Sequence, residues 1–142
     1  MIYTIKKICI SALLACISFN YAYAAKITIV SPERTLPLRV PIIVQVLLDP
    51  EQDTLSGISA DFSFPTDLFT IDTISTDSSA VSLWVTQPKV SLEKYLDNRT
   101  HITFEGIFPG GYDGVRSPYY TGKKPGLLFY VSLIPKSEGN GI

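Results

Sequence analysis

The stretch Ile58-Ser59-Ala60-Asp61-Phe62-Ser63-Phe64 alternates apolar and polar side chains at every position. Successive side chains of a β-strand point to opposite faces of the sheet, so this period of two predicts a strand with one buried and one solvated face. The pattern is typical of an antiparallel sheet that covers a core with one of its sides. The stretch therefore favours an all-β fold.

Two further segments, residues 81–86 and 102–105, show the same alternation. We expect the polar positions of the three segments to share one solvated face, since neighbouring antiparallel strands present their wet sides together. The apolar positions, together with those of adjacent segments, form the predicted core. Its members are Phe62, Phe64, Phe69, Ile71, Leu83, Val85, Ile102, Phe104 and Phe129.

The remainder of residues 25–142 consists of short apolar segments separated by turn residues. The chain contains ten prolines and nine glycines, and no window carries an apolar stripe at helical spacing over three turns. Seven strands are predicted, at residues 26–30, 39–48, 56–64, 69–75, 81–86, 100–107 and 127–134. Strands of this length and spacing favour a single domain, a two-layer antiparallel β-sandwich.

Residues 1–24 have the three-part pattern of a secretory signal peptide. Lys6 and Lys7 precede an apolar stretch at residues 8–19, and the segment ends in Ala22-Tyr23-Ala24. The pattern predicts a secreted or cell-surface protein whose mature domain occupies residues 25–142. A second interpretation is a bacterial lipobox at residues 13–16, with Cys16 as a lipidated first residue; the apolar run before Cys16 is short for that role.

Removal of the leader changes what chemistry the chain can carry. Both cysteines, Cys9 and Cys16, lie in it, so the mature domain lacks thiol catalysis, disulfide bonds and cysteine-bound zinc. The leader holds two of the twelve basic residues and none of the thirteen acidic ones, which leaves a slightly acidic domain. We expect no nucleic-acid partner without a basic stripe. No other stretch is long and apolar enough to span a membrane.

Several segments together carry a resemblance to a known family: ISADFSFP at 58–65, LFTI at 68–71, VSLWVTQP at 81–88, ITFEG at 102–106 and GLLF at 126–129. They resemble cohesin-type domains of secreted bacterial proteins, whose fold is shared with the cellulose-binding class of carbohydrate-binding modules. The resemblance implies a jelly roll of nine strands. Since seven strands are predicted and Gly141-Ile142 looks like the beginning of an eighth, the last strands are expected to be missing.

The resemblance also implies a function. A cohesin-type domain would be an exported, non-catalytic interaction module that binds a dockerin-like protein partner or a polysaccharide, in the setting of polysaccharide degradation. It would use the sheet that contains the third, fifth and sixth strands. The alternation places the following candidate binding residues on the solvated face of that sheet: Ser59, Asp61, Ser63, Trp84, Thr86, Thr103 and Glu105.

Aromatic residues support a second hypothesis, a carbohydrate-binding module proper. An exposed Trp84 would stack on a sugar ring, aided by a turn-rich loop that contains Tyr112, Tyr119 and Tyr120. The competing interpretation is that a bulge reverses the strand and turns Trp84 inward, or that a loop such as residues 108–120 folds over it. A third hypothesis is a structural domain of a larger cell-surface protein.

Catalysis and metal binding are not expected from the sequence. The single histidine, His101, is interpreted as an exposed loop residue, and the carboxylates Asp61 and Glu105 share the solvated face without a marked cleft. Residues Asp49, Glu51 and Asp53 alternate as in calcium loops. The sixth and twelfth positions of such a loop would hold glycine and glutamate, whereas here they are Thr54 and Ala60. No cofactor is therefore predicted, with calcium as the weaker alternative.

Overall fold

A computed structural model of the chain describes residues 25–31, 37–91, 97–115 and 122–137. Its elements are seven strands: β1 (Lys26–Val30), β2 (Ile42–Asp49), β3 (Leu55–Pro65), β4 (Phe69–Ser75), β5 (Leu83–Val90), β6 (Arg99–Tyr112) and β7 (Gly126–Pro135). Within the described ranges no helix is long and apolar enough to cross a membrane.

The strands form two antiparallel sheets. One has four strands in the order β1-β2-β7-β4, and the other has three in the order β3-β6-β5. This confirms the predicted all-β fold with two antiparallel layers. The nine-strand jelly roll, with its missing last strands, stays a prediction.

Backbone conformation accounts for two errors in the predicted bounds, at the beginning of β2 and at the end of β6. Strand β2 begins at Ile42 and not at residue 39, because Arg39 adopts a left-handed φ of 61° ahead of Pro41. Strand β6 extends to Tyr112, beyond the predicted end at residue 107. It passes through Gly110 and Gly111, whose φ angles of 85° and 87° only glycine adopts readily.

The core lies between the two sheets and is centred on Phe129 of β7. Its ring meets Phe104 of β6 edge-on at 4.9 Å between centroids and stacks on Phe62 of β3 at 5.8 Å. Such aromatic pairs add to the free energy gained by burying apolar area. Burial of Ile102, Phe104 and Phe129 confirms those core predictions.

Four other predicted core residues are only half-buried. Phe62, Phe64, Phe69 and Ile71 pack against the buried cluster from its margin. A cleft of about 500 Å³ opens between the sheets beside the three phenylalanine rings, which explains their remaining exposure.

The face assignment of β5 was wrong. Leu83 and Val85 are 53% and 55% exposed, whereas Trp84 packs against the core. The alternation of residues 81–86 breaks at Ser82, a bend before the strand, so Val81 is buried while Leu83 faces solvent. The predicted orientation of Leu83, Trp84 and Val85 is therefore the reverse of the one in the structure.

Glycine on the neighbouring strand makes room for Trp84. Gly106 of β6 lies opposite Trp84, and a Cβ atom at Gly106 would lie 3.4 Å from Trp84 Cε3 and 2.5 Å from Val81 Cγ1. Because Gly106 has no side chain, the indole can turn inward and meet Phe104 edge-on at 6.3 Å. The pairing register then shifts between Trp84 and Thr86, which returns Thr86 to the solvated side opposite Glu105.

Candidate functional site

The candidate site is the outer surface of the three-stranded sheet, which we call the β3-β6-β5 face. Its geometry follows from the register of β3 and β6, in which Ser59 pairs with Glu105 and Asp61 pairs with Thr103. Directly paired residues of an antiparallel ladder point to the same side of the sheet. The predicted solvated positions of these two strands therefore lie together, as the alternation indicates.

A shallow depression of about 450 Å³ lies on the β3-β6-β5 face. Five of the seven candidate binding residues line it, together with one cation, Lys89 of β5. The lining residues within the described part of the chain are Ser59, Ala60, Asp61, Thr86, Lys89, Thr103, Phe104 and Glu105. Two carboxylates, one ammonium group and three hydroxyl groups thus surround one concave area.

An apolar patch formed by Leu83, Val85 and Ile107 lies on the same sheet. Leu83 of β5 pairs with Ile107 of β6, and Ile107 is 39% exposed. The alternation of residues 81–86 does not reveal this patch, because it predicts Leu83 and Val85 in the core. The signal that could have revealed it is Gly106, since a glycine opposite a tryptophan permits the inward orientation of the ring.

His101 lies on the β3-β6-β5 face and is not an exposed loop residue. It belongs to β6, and its side chain is only 12% exposed. Nδ1 lies 3.0 Å from Asp61 Oδ1, and Nε2 lies 2.9 Å from Asp97 Oδ2. Ionised carboxylates only accept hydrogen bonds, so satisfying both contacts requires an imidazolium that donates from both nitrogens.

The pKa values of this cluster follow from the same contacts. Partial burial lowers the pKa of His101, but the hydrogen bonds and negative charges of Asp97 and Asp61 outweigh it, and the net pKa is raised. The hydrogen bond from His101 holds the pKa of the Asp97 carboxyl below its ordinary value. The cluster therefore favours a protonated His101 on the β3-β6-β5 face.

Ser63, another candidate residue, lies beyond the depression at the end of β3. Arg99 donates to it twice, from Nε to Ser63 Oγ at 2.7 Å and from Nη2 to the Ser63 carbonyl oxygen at 2.8 Å. These bonds tie β3 to the beginning of β6. Ser63 therefore anchors the edge of the face and is engaged within the domain.

Two of the predicted binding aromatics are packed inside the domain. Trp84 meets Phe104 and Phe129 in the core, so its assignment to the solvated face is corrected. Tyr112 is 8% exposed, stacks on Phe108 at 5.1 Å and donates to the Lys124 carbonyl oxygen, because β6 continues through it. The other loop residues, Tyr119 and Tyr120, lie outside the described residues.

The acidic turn after β2 has a structural role. Asp49 Oδ1 accepts a hydrogen bond from the Glu51 backbone N–H at 2.9 Å, which supports the positive φ of 54° at Glu51. No group of three or more histidine, cysteine or acidic side chains is arranged to hold a metal ion within the part of the chain that the structure describes.

The arrangement on the β3-β6-β5 face suits recognition by hydrogen bonds and apolar contact. Asp61 and Glu105 lie diagonally across two strands, as the alternation predicts. Asp61 is hydrogen-bonded to His101, whose second ring nitrogen is hydrogen-bonded to Asp97. Comparison of the chain with protein-family models, curated proteins and solved structures gave no match.

Proposed function

We propose that the chain is an exported, non-catalytic interaction module of the cohesin type, which binds a dockerin-like protein partner through the β3-β6-β5 face. The observation that carries the proposal is the apolar patch of Leu83, Val85 and Ile107. Two of its side chains are more than half exposed on a sheet whose inner side packs against the core. Exposed apolar clusters with a polar surround are typical of protein interaction sites.

The depression beside the patch supplies the polar part of such an interface. Asp61, Glu105 and Lys89 present charges of both signs, and Thr86 and Thr103 add hydroxyl groups. A partner segment would place apolar side chains on Leu83, and hydrogen-bond donors over the two carboxylates. This combination of an apolar centre and a polar rim favours a protein partner over a uniformly polar polymer.

Topology also supports the proposal. The sheet order β3-β6-β5 groups the third, fifth and sixth strands, which the resemblance to cohesin-type domains assigns to partner binding. The alternative of a carbohydrate-binding module that stacks sugar on Trp84 loses its main residue, since Trp84 packs against Phe104 and Phe129.

A parallel binding assay tests the proposal. The purified protein is applied to a panel of immobilised dockerin-type domains and, separately, to insoluble cellulose and chitin. The proposal predicts saturable retention by at least one dockerin-type domain, which Leu83→Lys and Val85→Lys reduce about tenfold or more. Retention by none of the panel, or retention that both variants leave unchanged, contradicts it.

A further inference from the structure

The outer face of the four-stranded sheet carries a groove of about 690 Å³, on the opposite side of the sandwich from the β3-β6-β5 face. All four strands and the turn after β4 contribute to its lining. The lining residues are Val30, Ile43, Gln45, Thr73, Ser75, Asp77, Tyr130 and Ser132. Neither the core nor the proposed protein interface uses them.

Tyr130 of β7 is the centre of this groove. It pairs directly with Gln45 of β2 on one side and with Ser75 of β4 on the other, and Gln45 in turn pairs with Val30 of β1. With strands spaced ~4.8 Å apart, this row of four residues extends over ~14 Å. The row therefore places one aromatic ring among hydrogen-bonding side chains over the length of a short oligosaccharide.

The hydrogen-bonding groups on the β4 side are held in place by the protein itself. Ser75 Oγ donates to Asp77 Oδ2 at 2.8 Å and accepts from the Asp77 backbone N–H at 3.2 Å. Ser132 Oγ donates to Asp72 Oδ2 at 3.1 Å. A carboxylate fixed before binding loses little conformational freedom when a ligand hydroxyl donates to it.

Other polar groups in the groove are available for a ligand. Among the described residues, none forms a hydrogen bond with the side chain of Gln45, Thr73 or Tyr130. The amide of Gln45 both donates and accepts, and the hydroxyl groups of Thr73 and Tyr130 do the same. The groove thus offers donors and acceptors in alternation with apolar surface from Val30 and Ile43.

The charge of the groove distinguishes between neutral and acidic ligands that carry hydroxyl groups. Among the described residues that line the groove, Asp77 carries the one carboxylate, and none is a lysine, arginine or histidine. An acidic glycan or a phosphate group would meet this carboxylate without a balancing cation from these residues. A neutral sugar fits, because its hydroxyl groups donate to Asp77 and Gln45 while its C–H faces pack against an aromatic ring.

We propose that the groove around Tyr130 is a binding site for a neutral oligosaccharide. Tyr130 supplies the apolar platform, and Gln45, Ser75 and Asp77 fix the orientation of the sugar through its hydroxyl groups. Because this site and the β3-β6-β5 face lie on opposite sheets, the module would hold a glycan and a protein at the same time. The glycan site and the proposed protein interface share no residues, so a failure of one proposal leaves the other standing.

Titration of the full chain with defined oligosaccharides tests the site. Cellohexaose, xylohexaose and chitohexaose are the neutral probes, and hexagalacturonate is the acidic comparison, with binding measured by calorimetry and by NMR shifts of backbone amides. We expect saturable binding of at least one neutral hexaose, with shifts confined to β1, β2, β4, β7 and the turn after β4, and at least about tenfold weaker binding of hexagalacturonate.

Variants separate a site from a surface effect. Tyr130→Ala and Gln45→Ala should each weaken binding, Tyr130→Ala by about tenfold or more, whereas Thr103→Ala on the opposite sheet should leave it unchanged. Because Tyr130 is half-buried, the thermal midpoint of its variant is measured first, and Gln45→Ala gives the result if Tyr130→Ala fails to fold. No saturable binding of any neutral hexaose, or equal binding by wild type and Gln45→Ala, overturns the proposal.

Discussion

Trp84 packs edge-on against Phe129, with 6.5 Å between the ring centroids, and so joins β5 to the strand at the centre of the opposite sheet. This contact makes the single tryptophan a stabilising residue of the sandwich. Because its ring also meets Phe104, the indole connects three strands of the fold. The sequence pattern predicts that Trp84 could stack on a sugar, whereas in the structure it packs in the core.

Replacement of this tryptophan measures its packing role. Trp84→Ala removes contacts with Phe104 and Phe129, and we expect unfolding free energy to fall by about 3–5 kcal/mol, in line with other large-to-small aromatic changes. Urea titration followed by circular dichroism gives the value. A loss below about 1 kcal/mol, with Val85→Ala as the exposed control, would place the indole outside the core.

Gly106 permits the inward orientation of Trp84, and its replacement should be costly. In Gly106→Ala the new Cβ would lie 2.5 Å from Val81 Cγ1, which forces Val81 or Trp84 to move. Overpacking of this kind costs about 1–3 kcal/mol. Thermal unfolding and the tryptophan emission maximum should both shift in this variant. An unchanged emission maximum and midpoint would show that Gly106 is not needed for the orientation of the ring.

The ion-paired histidine predicts a dependence of stability on pH. The folded-state pKa of His101 is raised above its value in the unfolded chain, so the protonated ring stabilises the fold. This contribution is fully present below about pH 6.5 and is lost as the pH rises through the higher folded-state pKa. The facing charged groups are Asp61 of β3, Asp97 in the preceding turn and Arg99 on the same strand.

Since the chain contains one histidine, an NMR titration reports this pKa without ambiguity. We expect a value above about 6.5 in the folded protein and a fall toward that value in Asp97→Asn. The unfolding free energy of His101→Gln should lack the decrease with rising pH that wild type shows in this range. A wild-type pKa at or below about 6.5 would contradict the paired geometry.

The signal peptide predicted at residues 1–24 would define the first residue of the mature protein. Cleavage after Ala24 should yield a mature protein that begins at Ala25, because the small residues Ala22 and Ala24 follow the apolar stretch. N-terminal sequencing of protein recovered from outside the cell decides this. A lipid-modified product that begins at Cys16 would instead support the lipobox interpretation.

The alternation of the sequence was sufficient for much of the fold. Predicted bounds match those of β1 and β4, and the solvated positions Ser59, Asp61, Thr103 and Glu105 share one face. A period of two suffices for this wherever a strand is regular, because the pleat fixes the direction of each side chain.

Irregular backbone explains where the prediction failed. The bend at Ser82 and the register shift after Trp84 invert β5, and no local pattern distinguishes a bulged strand from a regular one. The partners of His101 show a second limit, since Asp61 lies forty residues away along the chain and meets it only through the pairing of β3 with β6. Tertiary contacts of this kind leave no trace in the local sequence.

The most direct test of the central claim compares two matched substitutions on opposite sheets. Leu83 and Ile43 are 53% and 56% exposed, one on the proposed protein interface and the other on the four-stranded sheet. Leu83→Lys and Ile43→Lys therefore introduce the same charge at sites of similar exposure, and their thermal midpoints report any loss of folding.

The measurement is the Kd of each variant for a dockerin-type domain that binds wild type, obtained by calorimetry. We expect Leu83→Lys to weaken binding by about tenfold or more and Ile43→Lys to leave it unchanged. Equal affinity of Leu83→Lys and wild type, or a loss confined to Ile43→Lys, would contradict it.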